Sequence, residues 1–311
     1  MSKIAVLGTG SWATALSRVL IDNQNEIMMY GIDQEQIDDI NFNHQNEAFF
    51  HNISLESEIK ATNNLEEALM DMDYLLITIP TQFVKETLEQ VKPLIKKKIT
   101  VINAAKGFDL GTNMRMSDTI RSVLDENLIN PVVSLIGPSH AEEVVVRMLT
   151  TVCAVSLDDD TARDVQTLFS NDYFRVYRLN DEVGAEYGVA IKNVIAVAAG
   201  VLSGLGYGDN TKAALITRGL AEMVRYGTKK GGKLETYMGL TGVGDLIVTC
   251  SSVQLIIKSL ISFSLFKSLD CKSLANFNIS PLLTLVFFTT LSNKTSSSFI
   301  LSPLYTMIIF K

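Results

Sequence analysis

Residues 3–16 read KIAVLGTGSWATAL, and they are the strongest indication of the fold in the sequence. The mostly apolar residues 3–7 are typical of a buried strand, which the glycines of Gly8-Thr9-Gly10 interrupt. Residues 11–22 then place apolar side chains at helical spacing. A strand, a glycine turn and a helix in this order predict a nucleotide-binding unit, because the N–H groups at the start of the helix can bind phosphate. A plain glycine-rich turn has the same pattern.

Three positions in this turn carry the cofactor prediction. Gly8 permits the tight turn, Gly10 lets the backbone approach a pyrophosphate, and Ala13 lets the helix pack closely on the strand. Farther on, Asp33 lies near the point where an acidic residue would hold the ribose of NAD. Asp33 equally suits the N-cap of the next helix, so this preference for NAD over NADP stays open.

The first 180 residues alternate apolar runs with amphipathic ones. Further strands are predicted over 27–30, 74–79, 99–104 and 132–136, with helices over 63–71 and 81–95. Thr62 is the expected cap of the helix over 63–71. Strands and helices that alternate in this way predict an α/β fold with a doubly wound parallel sheet.

The sequence divides into three parts. Residues 1–180 form the predicted dinucleotide-binding domain, and residues 181–252 form an incomplete, all-helical substrate domain with long helices over 181–205 and 209–229. Residues 253–311 contain no Gly, Glu, Arg or His and only one acidic residue, Asp270. This composition is atypical of a globular segment and favours out-of-frame translation over a membrane-associated tail.

Composition excludes several classes of protein. A net charge of −7 argues against nucleic acid as a partner. The three cysteines are widely spaced, which indicates neither a metal site nor a disulfide framework and suits the cytoplasm. The N-terminus lacks the layout of a signal peptide, and no apolar run before Ser252 is expected to span a bilayer. We therefore expect a cytoplasmic protein without metal and without stable membrane insertion.

Two loops are expected to emerge at the carboxyl edge of the sheet, where ligands bind in such folds. Lys106 follows the strand over 99–104, and its ammonium could hold a phosphate or polarise a carbonyl. Gly137 and Ser139 follow the strand over 132–136 and offer backbone N–H groups and a hydroxyl to a small polar ligand. The alternatives are a solvated loop lysine and a plain turn.

Lys192 is the most informative single residue. It lies in the run VAIKNVIAVAA over 189–199, which predicts a buried helix. Burial disfavours the charged ammonium, so this lysine can pass a proton to a carbonyl oxygen. A lysine that reaches the surface is the alternative. Asp245, in a glycine turn, either pairs with Lys192 or caps the segment that follows.

Together these segments resemble the bacterial type of NAD(P)-dependent glycerol-3-phosphate dehydrogenase. The resemblance covers residues 3 to about 252 and rests on several ordered motifs, above all residues 8–16, 105–107, 137–144, 192–200, 206–222 and 242–250. It implies an N-terminal Rossmann domain followed by an all-helical domain. It also implies a cytoplasmic enzyme, in many members a homodimer, that interconverts dihydroxyacetone phosphate and sn-glycerol 3-phosphate for phospholipid synthesis.

The resemblance also implies roles for individual residues. Lys192 would be the proton donor and acceptor, and the substrate, a phosphorylated triose, would contact Lys106, Gly137, Ser139, Lys192 and Asp245. The cofactor, NAD or NADP, would contact Ser11, Trp12, Lys106 and Ala141 beside the glycine turn.

The sequence departs from the family at two places that matter. Ile32 stands where members usually carry a cation, which puts the use of NADP in doubt. After Ser252 the family's Ser-Arg-Asn segment, which helps to bind the substrate phosphate and the cofactor, is missing. We therefore expect a poor or inactive catalyst, and a non-catalytic NAD-binding remnant of the enzyme is the alternative function.

Overall fold

A computed structural model describes residues 1–251. Its eight strands form one sheet in the order β3-β2-β1-β4-β5-β6-β7-β8. The strands are β1 Lys3–Leu7, β2 Glu26–Tyr30, β3 Lys60–Thr62, β4 Tyr74–Ile77, β5 Thr100–Asn103, β6 Val133–Ile136, β7 Thr150–Val155 and β8 Phe174–Leu179. The predictions for residues 253–311 lie outside the described residues.

Helices connect the strands and continue beyond the last one. They are α1 Ser11–Asp22, α2 Gln34–Asp38, α3 Leu65–Ala68, α4 Thr81–Val91, α5 Met116–Val123, α6 Ala141–Val144, α7 Asp159–Phe169, α8 Glu182–Gly204, α9 Asp209–Lys229, α10 Leu234–Tyr237 and α11 Asp245–Ser251. Short π-helical segments follow α2 over Asp39–Asn43 and precede α11 over Leu240–Gly244. The predicted fold class, a Rossmann-type doubly wound sheet followed by helices, is confirmed.

The sheet is parallel with one exception. Strands β1 to β6 pair in parallel, as the alternation of strands and helices predicted. Strand β7 pairs antiparallel with β6, and β8 pairs in parallel with β7. Parallel neighbours need a long crossover connection, usually a helix. Between β6 and β7 the chain has only the four-residue α6 and a short loop, so β7 runs back antiparallel to β6. The sequence prediction did not include β7 and β8.

The core lies on both faces of the sheet. In β1, Ile4 and Val6 belong to one buried apolar cluster with α1, whereas Ala5 and Leu7 belong to a second cluster with α4. Successive side chains of a strand point to opposite faces, so a sheet covered by helices on both faces buries all of them. This explains why the central strands are nearly continuous apolar runs.

One predicted helix boundary is corrected. Asn64, not Thr62, caps α3, because the Asn64 side chain accepts from the N–H groups of Glu66 at 3.0 Å and Glu67 at 3.3 Å. The Thr62 hydroxyl instead donates to Glu67 Oε2 at 2.6 Å, while Thr62 itself ends β3. The helix is therefore shorter than the predicted 63–71.

The chain divides into two compact units. The first contains Met1–Ala190 and Gly227–Asp245, and the second contains Ile191–Tyr226 and Leu246–Lys311, of which residues up to 251 are described. The sheet and its helices belong to the first unit. In the second unit, Gly219 packs against Ile195, since a Cβ at Gly219 would lie 2.7 Å from Ile195 Cγ2.

Helix α8 bears on the expectation that no segment before Ser252 spans a bilayer. It is long and apolar enough to cross a membrane by length and composition alone. Ala185 and Val189 of this helix nevertheless belong to a buried cluster with Ile136 and Val155 of the sheet. Core helices of soluble proteins can have the same length and apolar composition. The contacts of Ala185 and Val189 identify the first turns of α8 as part of a protein core.

Candidate active site

The glycine turn after β1 has the conformation that the sequence predicted. Gly8 has a φ of +119°, and a Cβ there would lie 2.8 Å from Thr78 Oγ1, so only glycine fits without strain. The Gly8 N–H donates to the Tyr30 carbonyl at 2.8 Å, which joins the turn to the end of β2. Gly10 is the N-cap of α1, and because glycine has no side chain, no side-chain hydrogen bond caps the first N–H groups of this helix. The start of this helix therefore suits an anion.

Trp12 and Lys106 meet beside this turn. The Lys106 ammonium lies 5.6 Å from the centroid of the Trp12 ring, at cation–π distance. Both side chains are half-buried, and the buried Trp12 Nε1 has no hydrogen-bond partner among the described residues. The structure thus brings together two residues, one in the first turn of α1 and one in the loop after β5, that were both expected at the cofactor.

The loop that carries Lys106 is fixed by Asn103 at the end of β5. Asn103 Oδ1 accepts from the Ala105 N–H at 3.1 Å, and Asn103 Nδ2 donates to Ser134 Oγ at 3.3 Å. Asn103 is 2% exposed, so these bonds satisfy a buried amide. They hold the backbone one residue before Lys106, which sets the direction in which the lysine leaves the sheet.

The loop after β6 carries Gly137 and Ser139. A Cβ at Gly137 would lie 2.8 Å from Val152 Cα, so the close approach of β7 requires glycine. The Ser139 hydroxyl donates to the Gly137 carbonyl at 2.9 Å, and Ala141, which is 8% exposed, begins α6. A hydroxyl and the backbone of a rigid loop are therefore present at the carboxyl edge of the sheet.

Asp245 follows a turn that packs against the same loop. A Cβ at Gly244 would lie 3.8 Å from Pro138 Cγ. Asp245 is 1% exposed, and its backbone is helical, with φ −70° and ψ −30°. An N-cap residue normally has an extended backbone, so the capping role considered for Asp245 does not match this conformation. Its carboxylate is buried directly after this turn.

Lys192 belongs to the second unit and is buried there. It is 2% exposed, and its Nζ donates to Thr249 Oγ1 at 3.1 Å. The neighbouring thiol of Cys250 has its pKa raised to about 11 by burial. The surface position considered for Lys192 is therefore wrong, and the predicted burial is confirmed.

Two residues near the site were not predicted from the sequence. Asn46 is fully buried and donates from Nδ2 to the Thr9 carbonyl and to Thr14 Oγ1, each at 2.8 Å, which fixes the glycine turn from outside. Glu186 accepts from Ser134 Oγ at 3.1 Å, and burial raises the pKa of its carboxyl to about 7. An asparagine in a loop and a glutamate in an apolar helix are found only by their contacts.

Asp33 has the capping role that the sequence left open. Its Oδ1 accepts from the N–H groups of Glu35 at 3.0 Å and Gln36 at 3.4 Å. The cap fixes the carboxylate at the end of β2, close to the glycine turn. Only Oδ1 of Asp33 accepts these N–H groups, so the capping role does not exclude a contact between the carboxylate and a ribose hydroxyl.

The residues of the first unit fit a dinucleotide. The N–H groups at the start of α1 and the glycine turn, which has no room for a Cβ at Gly8, suit a phosphate. The Trp12 indole N–H, which has no hydrogen-bond partner among the described residues and lies beside Lys106, suits a ligand that also carries an aromatic ring. Within residues 1–251 no group of three His, Cys, Asp or Glu side chains is placed to hold a metal ion. Fold and site together define a Rossmann-type dinucleotide-binding protein.

Comparison with known proteins narrows this class. The family model described as NAD-dependent glycerol-3-phosphate dehydrogenase N-terminus matches residues 3–162, and the corresponding C-terminus model matches residues 181–255. The chain belongs to the NAD-dependent glycerol-3-phosphate dehydrogenase family. The match to the C-terminus model ends close to the residue at which the composition changes.

Individual relatives agree with the family models. Glycerol-3-phosphate dehydrogenase [NAD(P)+] of Bacillus cereus strain G9842 is 49% identical over 254 residues, which are 82% of this chain and 75% of the relative. The protein of the same name from Streptococcus agalactiae serotype V is 50% identical over 252 residues, 81% of this chain and 75% of the relative. A crystal structure of glycerol-3-phosphate dehydrogenase from Coxiella burnetii has a TM-score of 0.79 at 32% identity and covers 88% of this chain and 82% of that chain.

Proposed function

We propose that this chain binds NAD or NADP at the glycine turn and interconverts dihydroxyacetone phosphate and sn-glycerol 3-phosphate. The observation that carries the proposal is the burial of Lys192, an amine that is 2% exposed in the mostly apolar stretch 189–199 of α8. Burying an amine costs free energy, so such a lysine is retained where its proton is used. Membership of the family supports the choice of substrate.

The proposed roles follow from the chemistry of a ketone. A bound nicotinamide cofactor supplies the hydride that reaches the carbonyl carbon. Lys192 gives its proton to the carbonyl oxygen, so that the ketone becomes a secondary alcohol, and takes the proton back in the reverse direction. Thr249, which accepts a hydrogen bond from Lys192 Nζ at 3.1 Å, holds the amine in a fixed direction.

The remaining proposed residues bind and orient. Lys106 holds substrate and cofactor with one ammonium, and its position beside Trp12 supports the contact to the cofactor. Gly137 and Ser139 offer backbone and hydroxyl groups to the substrate, and Asp245 lines the substrate site from the neighbouring turn. At the cofactor we place Gly8, Gly10, Ser11, Trp12, Ala13 and Ala141.

A second candidate function is favoured by one feature of the sequence. No arginine occurs after Arg225, whereas members of the family use an arginine of the missing segment to hold the substrate phosphate. A charge-assisted hydrogen bond of this kind contributes about 1.5–3 kcal/mol, which is one to two decades in binding. A chain that binds the dinucleotide and turns over slowly or not at all is therefore the alternative.

Steady-state kinetics of the purified full chain separate these possibilities. We expect oxidation of NADH or NADPH that depends on dihydroxyacetone phosphate, with a raised KM for that substrate. We expect no oxidation with β-keto acids, which a dehydrogenase of β-hydroxy acids with the same two-domain architecture would reduce. Turnover with the acids and not with the triose phosphate would contradict the proposed substrate. Cofactor binding without any turnover would establish the non-catalytic alternative.

The proposal extends to location and assembly. We place the chain in the cytoplasm on the basis of its family, and the burial of α8 residues in a protein core argues against α8 as a membrane span. We propose a homodimer, which size-exclusion chromatography with light scattering tests directly. A monomer at all concentrations would contradict the dimer without affecting the proposed chemistry.

A further inference from the structure

The carboxyl end of β2 lies directly against the glycine turn. The Tyr30 carbonyl accepts from the Gly8 N–H at 2.8 Å, and a Cβ at Gly31 would lie 2.5 Å from Thr9 Cγ2. In doubly wound nucleotide-binding folds this end of the second strand faces the adenosine ribose. NAD and NADP differ only there, because NADP carries a 2′-phosphate. The side chains after Gly31 are therefore the ones that can distinguish the two cofactors.

The first two of these side chains offer nothing to a phosphate. Ile32 is 90% exposed and carries no donor. Asp33 follows with a carboxylate whose Oδ1 is fixed by the N–H groups at the start of α2. A carboxylate can accept a hydrogen bond from a ribose hydroxyl, whereas it repels a phosphate.

The surroundings of Asp33 are also acidic. A cavity of about 570 Å³ opens beside it and is lined by Asp33, Glu35, Gln36, Asp38, Asp39, Phe42, Asn43 and Ala48. None of these residues is a lysine or an arginine. In the sequence no lysine or arginine occurs between Arg18 and Lys60, and Arg18 is buried and paired with Glu56 at 2.8 Å. Residues 19–59 thus provide no arginine or lysine to balance a 2′-phosphate.

We propose that Ile32 and Asp33 make this chain select NAD over NADP. The inference rests on the proposed function for the location of the dinucleotide, and it narrows that function to one cofactor. In sites that accept NADP an arginine near this position holds the 2′-phosphate. Here the phosphate would lose that bond and would stand beside the Asp33 carboxylate, whereas the 2′-hydroxyl of NAD has an acceptor.

Direct binding tests this selectivity without requiring turnover. The full chain contains one tryptophan, Trp12, which lies in the first turn of α1 directly after the glycine turn, so its fluorescence reports on the site during titration with NADH and with NADPH. We expect NADH to bind at least about tenfold more tightly, the effect of one charge-assisted hydrogen bond. Asp33→Asn keeps an N-cap and removes the charge, and Ile32→Arg adds a cation; together they should reduce or invert the ratio.

Glu26→Gln is the matched control, because it also removes one carboxylate charge. Glu26 is the first residue of β2 and lies at the opposite end of this strand from Asp33. The ratio of the two dissociation constants should not change in this variant. Equal binding of NADH and NADPH by the unaltered chain would overturn the proposal, and so would a ratio that the double variant leaves unchanged.

The same titration separates this inference from the proposed function. Tight binding of NADH without reduction of dihydroxyacetone phosphate would overturn the proposed enzyme and leave the selectivity intact. Reduction of the triose phosphate with equal use of both cofactors would overturn the selectivity alone. Binding of neither dinucleotide would overturn both, because each depends on the glycine turn.

Discussion

The hydroxyl of Ser134 in β6 donates to Glu186 Oε1 in α8 at 3.1 Å. Ser134 in turn accepts from Asn103, and Asn103 holds the N–H of Ala105. A continuous series of buried hydrogen bonds therefore runs from a carboxylate on the helix to the loop that carries Lys106. Glu186 and the loop that carries Lys106 are thus joined through two buried polar side chains, Ser134 and Asn103.

Burial raises the pKa of Glu186 from 4.5 to about 7, which makes a prediction about stability. Between about pH 4.5 and about pH 7 the folded chain holds a proton at this carboxyl that the unfolded chain has lost. The free energy of unfolding should therefore decrease as pH rises through this window, by at most about 3 kcal/mol from this group. Glu186→Gln should remove that part of the dependence.

Urea unfolding at several pH values from about 5 to about 8 measures this difference. Glu58→Gln, which changes an exposed glutamate, is the control and should keep the pH dependence of the unaltered chain. Identical slopes for Glu186→Gln and the unaltered chain would show that Glu186 does not titrate in this range.

A second prediction concerns Gly8. Gly8→Ala should lower the free energy of unfolding by about 1–3 kcal/mol and weaken binding of NADH, because its φ of +119° and the closeness of Thr78 exclude a Cβ. Gly208→Ala is the matched control, since a Cβ there has open space around it. Equal effects of the two substitutions would mean that the turn after β1 tolerates a side chain.

Removal of the Lys106 ammonium gives a third prediction. Lys106→Met should raise the KM for dihydroxyacetone phosphate by about one to two decades and weaken NADH binding less, by the roughly 0.5–1 kcal/mol of an exposed cation–π contact. Lys96→Met, at an exposed lysine, controls for the lost charge. An unchanged KM in Lys106→Met would exclude the lysine from the substrate site.

The parts of the fold that local rules determine could be predicted from the sequence. The glycine turn, the central strands and the burial of Lys192 follow from residue type and spacing, because a strand covered on both faces and a buried helix must be apolar. The predicted cap of α3 was wrong because Thr62 and Asn64 are both good capping residues. Only the end of β3 at Thr62 decides between them.

Long-range contacts account for what the sequence did not provide. The antiparallel pairing of β7 depends on the course of the short loop after α6, and no residue type encodes it. Asn46 and Glu186 are recognised only when Thr9 and Ser134 are placed beside them. The capping role of Asp33 could be assigned only from its hydrogen bonds to α2, because an N-cap and a ribose ligand have the same sequence signature.

Proton transfer by Lys192 is tested by comparing the Lys192→Met variant with the unaltered chain. Turnover of dihydroxyacetone phosphate at saturating NADH should fall by about two to four decades in Lys192→Met, the usual contribution of a general acid. NADH binding, followed by Trp12 fluorescence, should not change, and Lys229→Met, at an exposed lysine of α9, should keep full activity. Measurable turnover in the unaltered chain that Lys192→Met leaves intact would contradict the account.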